Sequence, residues 1–277
     1  MGKIIIMSEP VVSIIIPCYN SGKYLPEALD SISAYPDKGM YEVIIINDGS
    51  TDELTLSLLN NLQQNGEHIV LHQENKGPAA ARNAGVKMAK APYLLFLDSD
   101  NKIESNYITE SVAVLNSRPA VSIVHANPIF FGDTAKPRFE TGKFDLVKIL
   151  KGNYIDNCAV IRKTTWEALG GQDEERSIAG HADWEFWIRA GGAGYGFYYI
   201  DKPLYHYRVL NNSLVSQYLD GGAHEAVHSY IYGKHALLVV DSYNWLYNEV
   251  AKSERDKRRP FRSFFKYVYR FYVNKPK

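Results

Sequence analysis

The chain has 277 residues, 31 of them basic and 31 acidic, and 45% of the total are hydrophobic. That is enough to bury one large α/β domain with an appendage. No apolar run reaches the roughly 20 residues needed to cross a bilayer, so no membrane-spanning helix is expected. The apolar start at Ile4-Ile5-Ile6 is too short for a signal peptide and has no cleavage region after it. Cys18 and Cys158 are the only cysteines, and both lie in apolar runs. They read as small buried hydrophobes in a reducing compartment, and a cytoplasmic protein is expected.

The first half alternates strand and helix signals. Val11–Ile16 is a β-branched run stopped by Pro17. Tyr24, Leu25, Ala28, Leu29 and Ile32 have helical spacing, with Pro26 tolerated in a first turn. Glu42–Ile46 is a second strand, followed by helically spaced Leu54, Leu58, Leu59 and Leu62. Ile69–His72 predicts a short strand, Pro78–Lys90 an Ala-rich helix, Tyr93–Leu97 a fourth strand and Tyr107–Asn116 a further helix. Strands this apolar between helices predict a parallel sheet buried on both faces, with ligands gathering at the strands' carboxyl ends. Beyond the strand Ser122–Ala126 the alternation weakens. Pro128–Thr141 reads as loop, Phe144–Leu150 as a short helix and Cys158–Ile161 as a strand. Gly170–His181 is too polar for a core element. A helix over Asp183–Ala190, strands at Tyr195–Ile200 and Leu204–Arg208, and mainly helix from Gly221 complete the pattern.

Four segments fall at strand ends. Tyr93-Leu94-Leu95-Phe96-Leu97 runs into Asp98-Ser99-Asp100, two acids that repel unless a cation sits between them. The plainer reading is a turn with a helix cap. Tyr19, in Pro17-Cys18-Tyr19-Asn20, could stack on a flat ring or simply line a rim. In Asn47-Asp48-Gly49-Ser50-Thr51-Asp52, Ser50 or Thr51 caps a helix, which leaves Asp48 free to accept the imide N–H of uracil. In Asn75–Gly85 the small residues let backbone approach a ligand. There Arg82 could reach a phosphate, anchor a carboxylate, or lie on a solvated face.

The order and spacing of these pieces resemble the family 2 glycosyltransferases of the GT-A fold, from about Val11 to Ser213. The resemblance implies an α/β fold: a mainly parallel twisted sheet flanked by helices, here with a C-terminal helical extension. It also implies a nucleotide-sugar donor, with uridine favoured, and inversion at the anomeric carbon. By matching position, Pro17, Tyr19 and Asp48 hold base and ribose, and Asn20 and Ser99 complete the donor contacts. Arg82 supports the nucleotide site, Asp98 meets ribose or metal-bound water, and Asp100, with Asp98, binds Mg²⁺ or Mn²⁺. Gly170-Gly171-Gln172-Asp173-Glu174 resembles the family's Gly-Gly-Phe-Asp-Glu, with Gln172 in place of the aromatic. His181-Ala182-Asp183-Trp184 resembles its Glu-Asp motif, so the general base falls on Asp183, with Glu185 in reserve. A plain N-cap role for Asp183 is the competing reading. Tyr205–Ser213 resembles Tyr-Arg-x-His-x-x-Ser, but Leu210 occupies the His position, and His206 or Asn211 is the expected substitute. Gly171, Asp173, Trp184 and Arg208 are assigned to the acceptor side, and Gln172–His181 to a lid or acceptor contact.

The expected organisation is a GT-A domain over 1–217, with its nucleotide-sugar half at about 9–127 and its acceptor half at about 128–217. A helical extension follows over 218–277. From Lys252 to Lys277 ten basic residues oppose two acids, interleaved with Phe and Tyr. Two readings stay open: an anionic membrane surface, making the protein peripheral at the inner face of the plasma membrane, or a helix packing its aromatics on the domain. The expected partners are a nucleotide-sugar donor and a glycan or lipid-linked acceptor; nucleic acid is not among them. A hydride-transfer enzyme is disfavoured because no Gly-x-Gly-x-x-Gly follows the first strand. Pro17–Gly22 is not the Gly-rich basic loop of a sugar-nucleotide pyrophosphorylase. A relative that binds nucleotide or glycan without catalysis is the alternative.

Overall fold

Every residue of β1 (Val12–Cys18) is buried, as are the last six residues of β2 (Tyr41–Asp48). Strands apolar on both faces need covering on both, and helices supply the cover. The computed structural model describes residues 9–211, 223–262 and 264. β1 pairs in parallel with β2 and with β4 (Tyr93–Phe96), and β2 pairs in parallel with β3 (Ile69–Gln73). Their carboxyl ends therefore share one lip.

The sheet continues in the order β3-β2-β1-β4-β7-β6-β8-β5. It is mixed rather than uniformly parallel. β7 (Val160–Arg162) runs antiparallel to both β4 and β6 (Val121–Gly132), and β5 (Lys102–Ile103) antiparallel to β8 (Gly196–Val209). The β7 reversal matters for function. Leu95 pairs with Val160 in an antiparallel register, so the residues before Val160 lie beside those after Leu95.

The helices flanking these strands are α1 (Leu25–Ser33), α2 (Glu53–Asn65), α3 (Pro78–Met88), α4 (Tyr107–Ser117), α5 (Leu146–Lys151), α6 (Lys163–Leu169), α7 (Ala182–Gly192) and α8 (Ala223–Lys234). Fully buried Ile14, Ile16 and Leu95 join Leu25 and Ile32 of α1 in the core, each worth about 1.5–3 kcal/mol. The small residues of α3 serve packing first. A Cβ on Gly85 would lie 2.5 Å from Ile15 Cγ2 and 2.7 Å from Ile46 Cδ1, so only glycine lets this helix lie flat on the sheet.

Several local expectations are corrected. The cap of α2 is Asp52, whose carboxylate accepts from Thr55 N at 2.9 Å, rather than Ser50 or Thr51. Leu54 is 60% exposed, because only part of the leucine stripe on α2 reaches the sheet. The loop expected from Pro128 starts later, since β6 continues to Gly132 in pairing with β8. The two strands expected between Tyr195 and Arg208 are one strand, β8, with register shifts in its pairing near Asn127.

The first compact unit extends through Ile231. The boundary expected at 217–218 lies outside the described residues. The second unit, from Tyr232, carries α9 (Ala236–Lys257), a 22-residue helix with no buried residue. No helix among the described residues is long and apolar enough to cross a membrane. Of the basic aromatic tail, residue 263 and everything from 265 onward lie outside the described residues.

Candidate active site

The carboxyl lip is built from loops that tie one another down. Pro17 is buried within β1, while Tyr19 beyond it is 49% exposed and free to stack on a ring. Asn20 takes a left-handed backbone (φ 50°). Its amide oxygen accepts from Thr51 N at 2.8 Å and Asp52 N at 3.2 Å, joining the first loop to the second. Asn20 is thus a loop tie.

Asp48 is buried and bonded through both carboxylate oxygens. Its Oδ1 accepts from Gln73 Nε2 and Lys76 N, both at 2.8 Å, and its Oδ2 from Gly77 N at 2.9 Å. The carboxylate expected to read a base also folds the loop into α3. That loop delivers Arg82 to the site.

Arg82 is buried, and its Nη2 meets Asp98 Oδ1 at 2.5 Å. Asp98 keeps a third of its side chain exposed, whereas Ser99 is buried under the turn. Asp100 accepts no side-chain hydrogen bond among the described residues; burial, and then the charge of Asp98, push its carboxyl up to about 7. Two acids sharing a lip with one committed cation leave the second acid short of counter-charge. Among the described residues no group of three acidic, His or Cys side chains is placed to hold a metal ion. An open pair of carboxylates fits a divalent ion that arrives with phosphate oxygens, because Mg²⁺ is commonly held by one or two carboxylates and keeps its remaining positions for phosphate and water.

Asp183 lies in the first turn of α7, one residue inside the helix, and His181 is the N-cap residue. The capping reading is therefore set aside. Its Oδ1 accepts from Trp184 N at 2.7 Å and its Oδ2 from Asn153 Nδ2 at 2.9 Å. Burial raises its carboxyl to about 6, against the opposing pull of Arg82. Glu185, the reserve candidate, is corrected: it is fully buried, and its two oxygens receive Arg189 Nε at 3.0 Å and Nη2 at 2.7 Å. A carboxylate locked in that pair is not open to an acceptor.

Asp156 and Tyr207 were missed as site residues. Burial and then the charge of Asp98 hold the Asp156 carboxyl well above the usual carboxylate range, and Asp183 and Arg82 also act on it. Tyr207 is held high by burial first and then by the charges of Asp156, Asp98, Asp100 and Asp183. The usable signal for Asp156 was its place just ahead of an apolar strand. Only the antiparallel direction of β7 turns that place into the lip beside β4.

The acceptor-side assignments divide. Trp184 is corrected: it is 2% exposed and its indole N–H donates to Ile149 O at 2.6 Å, so it is core. Gly171 gives backbone proximity to α3, since a Cβ there would lie 2.5 Å from Asn83 Oδ1. Asp173 accepts from Tyr230 OH at 2.8 Å and tethers α8. Arg208 braces the Asp98–Asp100 turn, with Nε donating to Asp100 O at 2.8 Å and Nη2 to Glu27 at 2.9 Å. His206 shares a 2.6 Å hydrogen bond with Glu104 through Nε2, and Asn211 donates its backbone N–H to Asp133. The segment expected as a lid is anchored by buried Gln172 and Ile178.

Comparison with known proteins agrees with this fold. Structures of Staphylococcus aureus TarS include residues 1–349 in complex with UDP-GlcNAc; that chain is 22% identical, matches with a TM-score of 0.61, and the match covers 74% of this chain and 60% of that one. A PGL/p-HBAD biosynthesis glycosyltransferase of Mycobacterium bovis is 32% identical over 187 residues, 66% of this chain and 70% of that one. An uncharacterized glycosyltransferase of Haemophilus influenzae is 33% identical over 160 residues, 56% of this chain and 63% of that one. The chain thus spans less than two thirds of some relatives it matches. The model of glycosyl transferase family 2 matches residues 13–169, from inside β1 to the end of α6. More than half of the chain, including the lip that holds Asp48, Arg82, Asp98 and Asp100, is covered by that match, and the protein belongs to glycosyl transferase family 2.

Proposed function

We propose that the protein is an inverting glycosyltransferase that moves a sugar from a UDP-linked donor to an acceptor hydroxyl on a glycan or lipid-linked glycan. The observation that carries this reading is the Arg82–Asp98 ion pair at one lip of the sheet, with the charge of Asp98 acting on both Asp100 and Asp183. The donor class is supported by the shared fold with TarS, which has been seen with UDP-GlcNAc. Tyr19 offers an exposed ring for the base.

In this reading the acceptor hydroxyl attacks the anomeric carbon from the face opposite the diphosphate. As the new C–O bond forms, the bond to the diphosphate oxygen breaks and the hydroxyl proton passes to the Asp183 carboxylate. Positive character at the anomeric carbon is stabilised by the surrounding acids, the charge type known from glycoside chemistry. Asp100, with Asp98, would hold Mg²⁺ or Mn²⁺, which when bound supplies Lewis-acid neutralisation of the departing diphosphate. Asp100→Ala is expected to abolish manganese-dependent UDP binding in calorimetry; unchanged affinity would remove Asp100 from the metal set. Donor consumption that requires an acceptor separates transfer from binding alone.

For the acceptor's surroundings, α9 exposes Val240, Tyr243, Tyr247 and Val250 and continues into Lys252, Arg255, Arg258 and Arg259. An apolar stripe leading into basic residues suits an anionic lipid surface and supports a peripheral position at the inner face of the plasma membrane. Reversing those four basic residues to Glu in the full chain should release the protein from vesicles rich in phosphatidylglycerol. Equal pelleting of both forms would end the membrane assignment.

A further inference from the structure

We propose that Gln172 is a positioning residue for the donor site: acting through Arg82, it fixes the Asp98 carboxylate in the orientation that nucleoside-diphosphate binding uses. The inference rests on the glycosyl-transfer reading and deepens it.

Gln172 stands where the resembling motif has an aromatic residue, yet it is 3% exposed. A buried amide is costly unless it is hydrogen-bonded, so packing alone does not account for it. Its Oε1 accepts from Arg82 Nη1 at 3.3 Å, and its Nε2 donates to Asn157 Oδ1 at 2.7 Å. Asn83 holds its backbone from both sides: Gln172 N donates to Asn83 Oδ1 at 2.9 Å, and Asn83 Nδ2 donates to Gln172 O at 2.8 Å. The close approach needs glycine at 171, whose φ is +79°. Gln172 is therefore itself rigidly placed.

Arg82 depends on that rigidity. Its guanidinium touches Asp98 through Nη2 and Gln172 through Nη1, while its buried Nε has no acceptor among the described residues. A planar fork gripped at two nitrogens has one orientation; gripped only at Asp98 it can swivel about the ion pair. The chain Asn157–Gln172–Arg82–Asp98 thus runs from the start of β7, through the turn after α6 and through α3, to the metal lip.

The test compares Gln172→Met with Gln172→Glu in the full-length protein. Met keeps the length and loses the acceptor. Glu keeps an acceptor for Arg82, and the buried Asn157 Nδ2, which has no partner among the described residues, can rotate to donate to it. A packing role predicts that Met is tolerated and a buried Glu is not, whereas positioning predicts the reverse. With UDP and Mn²⁺ as the calorimetric probe, Met should weaken binding and raise the donor KM about tenfold to hundredfold, the range for a hydrogen bond to a charged group. The acceptor KM should stay unchanged, and Glu should recover most of the loss. Wild-type UDP affinity in the Met variant, or a Glu variant no better than Met, would overturn the proposal. A second measurement needs no ligand. In a urea-unfolding double-mutant cycle, Gln172→Met and Asp98→Asn should be non-additive, because both act on Arg82; additivity also overturns the proposal. If the wild type itself binds no UDP, the donor reading fails, and the cycle still decides whether Gln172 works through Arg82.

Discussion

Replacing Asp183 with Asn is expected to lower turnover about 10²–10⁴-fold, the usual contribution of a general base, while UDP affinity stays at the wild-type level. The substitution keeps the shape and can keep one hydrogen bond to Trp184 N or Asn153, so α7 should fold normally. What is lost is the proton acceptor. Because burial raises the Asp183 carboxyl to about 6, the wild-type kcat, measured with donor and metal ion saturating so that Asp100 stays ionised, should fall as pH drops through about 6. The base is the deprotonated form, which fixes the sign of that limb. In the Asn variant the residual rate should show no such limb. Wild-type turnover in this variant, or an unchanged acid limb, would reassign the base.

The second large effect is expected at Asp48, and it concerns stability before binding. Asp48→Ala leaves Gln73 Nε2, Lys76 N and Gly77 N without their acceptor. Unsatisfied buried donors cost about 1–3 kcal/mol each; with water repaying part of that in a loop, the variant should lose about 2–4 kcal/mol in denaturant unfolding. UDP binding should fall with it, because the same loop leads into α3 and places Arg82. A residue that served only the base would behave differently. The variant would then unfold like the wild type and lose nucleotide binding alone, and that result would favour the direct base contact over the loop role.

How far the sequence reached can be judged from single residues. Asp98 and Asp100 were legible because they fall in order with the other strand-end segments of the family resemblance; alone, two acids after a strand read as readily as a turn. Arg82 was legible only as three alternatives, and the ion pair with Asp98 selected one of them. Trp184 read as an acceptor contact because the resemblance sets the helix that carries Asp183 on the acceptor side, yet a helix turns its next residue by about 100°, here into the core. Asp48 read as a ligand contact because nothing local needed a carboxylate. Its partners lie 25 to 29 residues away and meet it only when β2 and β3 pair.

The sequence by itself determined the alternation of elements through β4, the acidic lip, the position of Asp183 and the family resemblance, because these rest on local periodicity and on residues close together in the chain. The tertiary structure alone decided that β7 runs against β4, which brings Asp156 to the lip, and that Asn157, Gln172, Arg82 and Asp98 form one polar chain. Strand direction and buried hydrogen-bond partners depend on which distant segments pack together, and packing is settled by the shape of the whole core rather than by any window of sequence.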